Sequence, residues 1–230
     1  SARPRWRRWL KWAFWISLVL FGLVPVGVIF TYKYVDPPAT PLMFLRAADG
    51  LGRDWQWRDL DHFPVEVIQA AIAAEDWRFC DHWGVDVDAL RGAIDKYEHG
   101  GRLTGASTIT MQVTRNILLW PGRNIFRKGL ELLYAPVVDA VWGKDRVLEV
   151  YLNIAEWGPG IYGINAAANA WFGHDVDRLY PDEIARLFVV LPSPLRWDPR
   201  ATTGPARRRY DRVRRAMRQV RVGAGWAVCP

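Results

Sequence analysis

The sequence predicts a mainly α protein, in which one N-terminal transmembrane helix precedes a helical domain. Three observations carry that prediction. Residues 12–32 hold no charged side chain; from residue 64 onward apolar residues recur at three- and four-residue steps; and Gly- and Pro-rich turns separate those segments. At 230 residues the chain is long enough for an anchor plus one domain with a substantial core.

The first eleven residues carry Arg3, Arg5, Arg7, Arg8 and Lys11, a basic N-terminal segment. Trp12 to Tyr32 follow, and as a helix they span about 31 Å, the thickness of a hydrocarbon core. Pro25 is a candidate kink, which membrane helices tolerate. Trp6, Trp9, Trp12 and Trp15 at one end and Tyr32 and Tyr34 at the other resemble interfacial belts. The excess of positive charge before the span places the N-terminus in the cytoplasm and the rest of the chain outside. A cleaved signal would have a shorter apolar core and a small-residue cleavage site, so the segment reads as a retained anchor.

Residues 33–63 read as a linker and membrane-proximal segment, opening with the stiff run DPPATP at Asp36 to Pro41. The surroundings of Trp55 and Trp57 fit either a strand or a loop. A helical domain is expected over residues 64–204, with Pro64 at the first helical position of its first helix. Further helices are predicted over Val87 to Glu98, Thr108 to Leu119, Ile125 to Trp142, Asp145 to Ile154, Ile164 to Trp171 and Pro181 to Leu191. Residues 205–230 form an Arg-rich helix or tail. There Val213, Met217 and Val220 make one apolar side, and the arginines are either solvated or near anionic headgroups.

The formal charge of +7 sits at the ends: residues 1–35 carry +6, residues 36–200 carry −6 and residues 201–230 carry +7. A nucleic-acid partner is not expected from that distribution and topology. Within the acidic middle one window stands apart. No carboxylate lies between Glu98 and Glu131, while Arg102, Arg115, Arg123, Arg127 and Lys128 do, beside the apolar run Ile117 to Trp120. This is the pattern of a seat for an anion carried on a lipid. Gly105, Ala106 and Ser107 read as a turn into a helix with Ser107 as N-cap, a place that also binds phosphate. Arg127 and Glu131 stand at i and i+4, either as a solvated pair or as the edge of a pyrophosphate site.

Ile68, Ile72, Glu75 and Phe79 recur at helical steps, which points the Glu75 carboxylate along an apolar face. Burial would raise its pKa and suit it to acid–base work. Periodicity alone leaves open an ordinary Glu at the edge of the face. His82 has no partner at metal-ligand spacing and reads as structural. Residues 144–173 read as core and turns, with Glu149, Asn153 and Glu156 able to orient a site. Cys80 and Cys229 read as independent thiols, with pairing in an oxidising compartment left open.

The segments EDWRFCDHWG, GASTITMQ, RKGLE, KDRVLEVYLNIAEWGPGIYGINAAANAWFG and LPSPLRWDP resemble, in order, the motifs of the peptidoglycan glycosyltransferases. The similarity is greatest to the monofunctional biosynthetic transglycosylases of Gram-negative bacteria. It implies a lysozyme-like helical glycosyltransferase domain over residues 64–204, with a small membrane-proximal lobe, in the bacterial inner membrane with the domain in the periplasm. It implies lipid II and nascent glycan as substrates, the bilayer as surroundings, and other cell-wall synthesis or division proteins as partners. By the same resemblance Glu75 is the general base, and Glu131 helps hold the pyrophosphate or a divalent cation, Mg2+ or Mn2+. Ser107, Gln112, Arg115, Arg123 and Lys128 lie near the sugar-phosphate, with Arg127 in the same basic window. Arg115 is more often Lys in the family and Met111 usually Gln, so one polar contact is expected to be missing. A glycan hydrolase and a non-enzymatic scaffold with a polyanion-binding tail are the competing readings. The acid-free basic window speaks against the hydrolase, because neutral glycan needs no pyrophosphate seat.

Overall fold

The computed structural model describes residues 5–101, 105–122, 124–224 and 227–230, and the chain divides into two compact units, Ser1–Pro37 and Pro38–Pro230. The first unit is one helical rod: α1 (Arg5–Leu18), a π turn (Val19–Leu23) and α2 (Val24–Tyr34). Pro25 lacks an N–H and its ring crowds the carbonyl four residues back, so the preceding turn widens. The rod absorbs the proline in this π turn. Its stretch Trp6–Tyr34 is long and apolar enough to cross a membrane.

The second unit is mainly helical. It opens with α3 (Pro41–Ala48), where the sequence suggested a linker: Thr40 caps the helix by accepting from the Met43 amide, and Pro41 occupies the first turn. The Trp55 region resolves as β1 (Asp54–Trp55), which pairs in parallel with β3 (Ile161–Tyr162); β3 pairs antiparallel with β2 (Glu156–Gly158). Residues 58–60 are pinned by Asn153 and Glu149. The Arg58 amide donates to Asn153 Oδ1 (2.8 Å) and the Leu60 amide to Glu149 Oε1 (3.2 Å). Glu149 and Asn153 are therefore braces for this segment.

Helix α4 (Val65–Glu75) starts one residue later than expected, with Pro64 as its N-cap, and buries Val67, Ile68, Ala70, Ala71 and Ile72. Glu75 ends it. α5 (Val87–Glu98) matches its predicted range, and α6 (Ile109–Leu118) follows. α7 (Ile125–Ile154) spans both predicted helices, with a break at Gly143, where φ is 75° and ψ 168°. That conformation is one that glycine adopts freely. α8 (Ile164–Phe172), α9 (Pro181–Leu187) and α10 (Gly204–Ala216) complete the unit. Tyr151, Trp157, Tyr162 and Phe188 are among its fully buried large side chains, and Trp157 meets Phe188 edge-on at 4.9 Å. Leu119, Leu130 and Tyr134, flanked by Leu118, make a separate small core where α6 meets α7.

The C-terminal segment belongs to this unit. α10 buries Ala206, Tyr210 and Val213 and packs on α4 and α9. Beyond it, Gln69 donates to the Val220 carbonyl (3.1 Å), and the Val228 amide donates to Asp145 (2.8 Å). Cys229 is thereby brought beside the turn that follows α4, and Cys80 and Cys229 form a disulfide. The expectation of independent thiols is corrected: a separation of 149 residues in sequence is closed by the return of α10 along α4.

Candidate active site

Helix α6 is set in place by residues that follow α4. Asp76 accepts from His82 Nε2 (2.9 Å) and from the Ile109 amide (2.9 Å), so a carboxylate meets the N-terminus of α6. His82 is a structural hydrogen-bonding residue. Thr108 donates to the Gly84 carbonyl (2.6 Å) and accepts from the Met111 amide (3.1 Å). Gly84 has φ 77°, and a side chain there would meet the Ala135 carbonyl at 2.5 Å, so the loop can pass against α7 only as glycine. The N-cap is thus Thr108, not Ser107. The Ser107 hydroxyl is left to accept from Lys128 Nζ at 2.9 Å.

One turn into α6, Gln112 Nε2 donates to Glu75 Oε2 at 2.9 Å. Arg209, on α10, donates through Nη2 to Glu75 Oε1. The Glu75 side chain is 13% exposed. Burial pushes its pKa above the ordinary carboxylate value, while Arg209 and the Gln112 amide oppose that rise. The apolar-face reading of Glu75 holds for Ile68 and Ile72, whereas Phe79 is buried in a 3-10 turn (Phe79–Asp81) beyond the helix end.

Arg115 and Asn116, further along α6, help to line a cavity of about 410 Å³, whose wall also includes Arg46, Ser107, Arg127, Lys128, Glu131 and Glu156. Four cations face two carboxylates. Arg46 donates to both oxygens of Glu156 at 3.1 and 3.4 Å. Arg127 pairs with Glu131 Oε1, both side chains buried, and Lys128 reaches Glu131 Oε2 at 2.8 Å. Arg115 has no carboxylate partner among the described residues; its Nε donates to Asn116 Oδ1 at 3.4 Å. Burial holds the Arg115 guanidinium below its usual pKa, with Glu131 the largest opposing influence. A desolvated cation without a carboxylate of its own is a ready partner for an anion.

A second cavity of about 230 Å³ shares Leu42, Arg115, Asn116 and Glu156 with the first and adds Gln112, Leu191, Pro192 and Pro194. The cleft therefore runs along α6 from Gln112 to the cationic cavity. The structure brings Ser107, Gln112, Arg115, Arg127, Lys128 and Glu131 to this one cleft and ties Glu75 to it through Gln112, while Arg123 lies outside the described residues. Met111 is fully buried and turned into the core. Glu156 lines both cavities, unlike Glu149 and Asn153.

A divalent cation does not fit the residues present as a resident ion. Hard cations take oxygen ligands, and both oxygens of Glu131 are already engaged by Arg127 and Lys128 while Glu156 is held by Arg46. The only cluster of three candidate ligand groups among the described residues is Asp59, Asp61 and His62, which are exposed and line neither cavity.

Two site residues escaped the sequence reading. Arg46 was signalled by Thr40-Pro41, an N-cap followed by proline at the first helical position, which announces a helix. Arg209 lies among Ala206, Tyr210 and Val213, so it was a cation on the buried side of its helix.

The chain itself has similar counterparts among known proteins. The transglycosylase family pattern matches residues 45–218. The biosynthetic peptidoglycan transglycosylase of Rhodospirillum centenum is 45% identical over 217 residues, 93% of this chain and 94% of the relative. The proteins of the same name from Caulobacter vibrioides and Xanthomonas campestris pv. campestris are 44% and 41% identical, covering 75% and 100% of this chain and 76% and 96% of the relatives. With the family pattern spanning α3 to α10 and the likeness running through nearly the whole chain, the protein belongs to the transglycosylase family.

Proposed function

We propose that this protein is a peptidoglycan glycosyltransferase that polymerises lipid II, a disaccharide-pentapeptide on undecaprenyl pyrophosphate, into glycan strands. Glu75 takes the proton from the acceptor's 4-hydroxyl. The freed oxygen bonds to C1 of the growing chain's terminal sugar, the bond from C1 to the phosphate oxygen breaks with inversion, and undecaprenyl pyrophosphate leaves. The observation that carries this reading is that α6 links the base to the anion seat. Gln112, bonded to Glu75, and Arg115, in the cationic cavity, are three residues apart, about 4.5 Å of axial rise.

Arg115, Arg127 and Lys128, with Ser107, meet the pyrophosphate and stabilise its charge as it departs. Glu131 holds Arg127 and Lys128 in place, so its role is to orient cations. The N-terminal segment of α7 also exposes apolar side chains: Ile125 is 92% exposed, Phe126 55% and Leu133 60%, and Trp120 stacks on Phe126 at 6.5 Å. These side chains enter the lipid interface and bring the cationic cavity to the level of the phosphates. The apolar span Trp6–Tyr34 anchors the enzyme in the inner membrane with its N-terminus in the cytoplasm. The Cys80–Cys229 disulfide supports a periplasmic domain, because such bonds persist in oxidising compartments.

The test is incubation of the detergent-solubilised protein with labelled lipid II and gel separation of the products. A ladder of lengthening glycan is expected, and Glu75→Gln is expected to slow it by about 100-fold or more. Full activity in that variant would remove Glu75 as the base. Release of fragments from purified sacculi without lipid II would favour a hydrolase.

A further inference from the structure

We propose that Arg209 is a positioning residue for the base, holding Glu75 ionised and aimed from a helix 134 residues further along the chain. The inference rests on Glu75 being the base. The Arg209 guanidinium is fixed on three sides. Nη2 donates to Glu75 Oε1 and to the Ala74 carbonyl at 3.3 Å, and Nε donates to the Phe188 carbonyl at 3.2 Å. Both carbonyls follow closely on buried segments, at the end of α4 and just beyond α9. A guanidinium held by carbonyls of two elements is part of the scaffold rather than a mobile counter-ion.

The other groups around Glu75 do not replace it. Gln112 is neutral and holds the second oxygen. Asp76, next in sequence, pushes the Glu75 pKa up, as burial does. Tyr151 is fully buried on α7 and its hydroxyl has no partner among the described residues. Arg115, on α6, lines the anion cavity, where its charge meets the pyrophosphate. Arg209 is therefore the cation whose contact is committed to the base. With Oε1 tied to α10 and Oε2 to α6, the plane of the carboxylate is fixed, and each oxygen keeps a further lone pair for the acceptor hydroxyl.

The experiment measures kcat and KM for lipid II polymerisation against pH in wild type, Arg209→Gln and Arg209→Lys, with Glu75→Gln in parallel. An opposite charge in contact lowers a carboxylate pKa by about one to three pH units, so removing it moves the acidic limb of kcat upward by that amount. Arg209→Gln is expected to show that move, with KM within about threefold of wild type and part of kcat recovered at higher pH. Arg209→Lys is expected to keep the wild-type limb. An unmoved limb in Arg209→Gln, whether kcat falls or not, overturns the proposal, as does a limb in Arg209→Lys displaced as far as in Arg209→Gln. Should Arg209→Gln fail to unfold cooperatively, Arg209→Met, neutral and of similar length, takes its place with the same expected and overturning outcomes. A fully active Glu75→Gln defeats the base assignment itself, whereas an inactive Glu75→Gln beside an unmoved Arg209→Gln limb defeats only this inference.

Discussion

Ser107 and Thr108 are adjacent hydroxyls with different work. Thr108 holds both the Gly84 carbonyl and the first turn of α6, while Ser107 meets Lys128 at the cavity wall. Thr108→Ala is expected to lower stability by about 0.5–2 kcal/mol, read from urea unfolding. Ser107→Ala is expected to leave the unfolding midpoint unchanged and to raise KM for lipid II; the reverse pattern would exchange their roles. Because burial raises the Glu75 pKa, the wild-type acidic limb should lie above the ordinary carboxylate value. In its proposed role as base Glu75 works deprotonated, so activity should fall as pH drops through that raised value, and a pH–rate profile of kcat/KM checks it. Glu75 was legible because three- and four-residue spacing to Ile68 and Ile72 is local information. Ser107 was misread as the cap because either of two neighbouring hydroxyls satisfies the same rule.

At the level of elements, the predicted break between residues 142 and 145 corresponds to the single turn at Gly143 in α7. Any side chain there is held in a strained conformation, so Gly143→Ala should cost about 1–3 kcal/mol in urea unfolding. A midpoint equal to wild type would mean that the two arms of α7 can join as one straight helix. Lys144 shows why the break matters. Just past it, Nζ donates to the His82 carbonyl (2.6 Å) and pairs with Asp139 (2.7 Å), joining α7 to the loop that seats α6. Helix identities and most ranges were legible because apolar periodicity and turn residues set them locally. α3 was not legible as a helix because the prolines before it read as a stiff linker, although Thr40 and Pro41 were its start signal.

At the level of the whole molecule, the fold class and family were legible because motifs are contiguous, while the contact between Glu75 and Arg209 and the bond between Cys80 and Cys229 were not. Both join residues more than 130 positions apart, and periodicity carries no such information. Breaking the disulfide releases the chain between its cysteines, so Cys229→Ser should cost about 2–5 kcal/mol. Calorimetry should show dithiothreitol lowering the wild-type midpoint towards that of Cys229→Ser and leaving the variant unmoved. A wild-type midpoint insensitive to the reductant would mean that the bond adds no stability. The long span of this bond also orders events during biosynthesis. Residue 229 is made 149 residues after residue 80, at about 5–20 residues per second. A nascent chain therefore presents the Cys80 thiol and the Glu75 helix well before Cys229 and α10 exist to complete them. Closure of the bond is a late step, available only to molecules synthesised through residue 229, and it separates chains that have reached that residue from shorter ones.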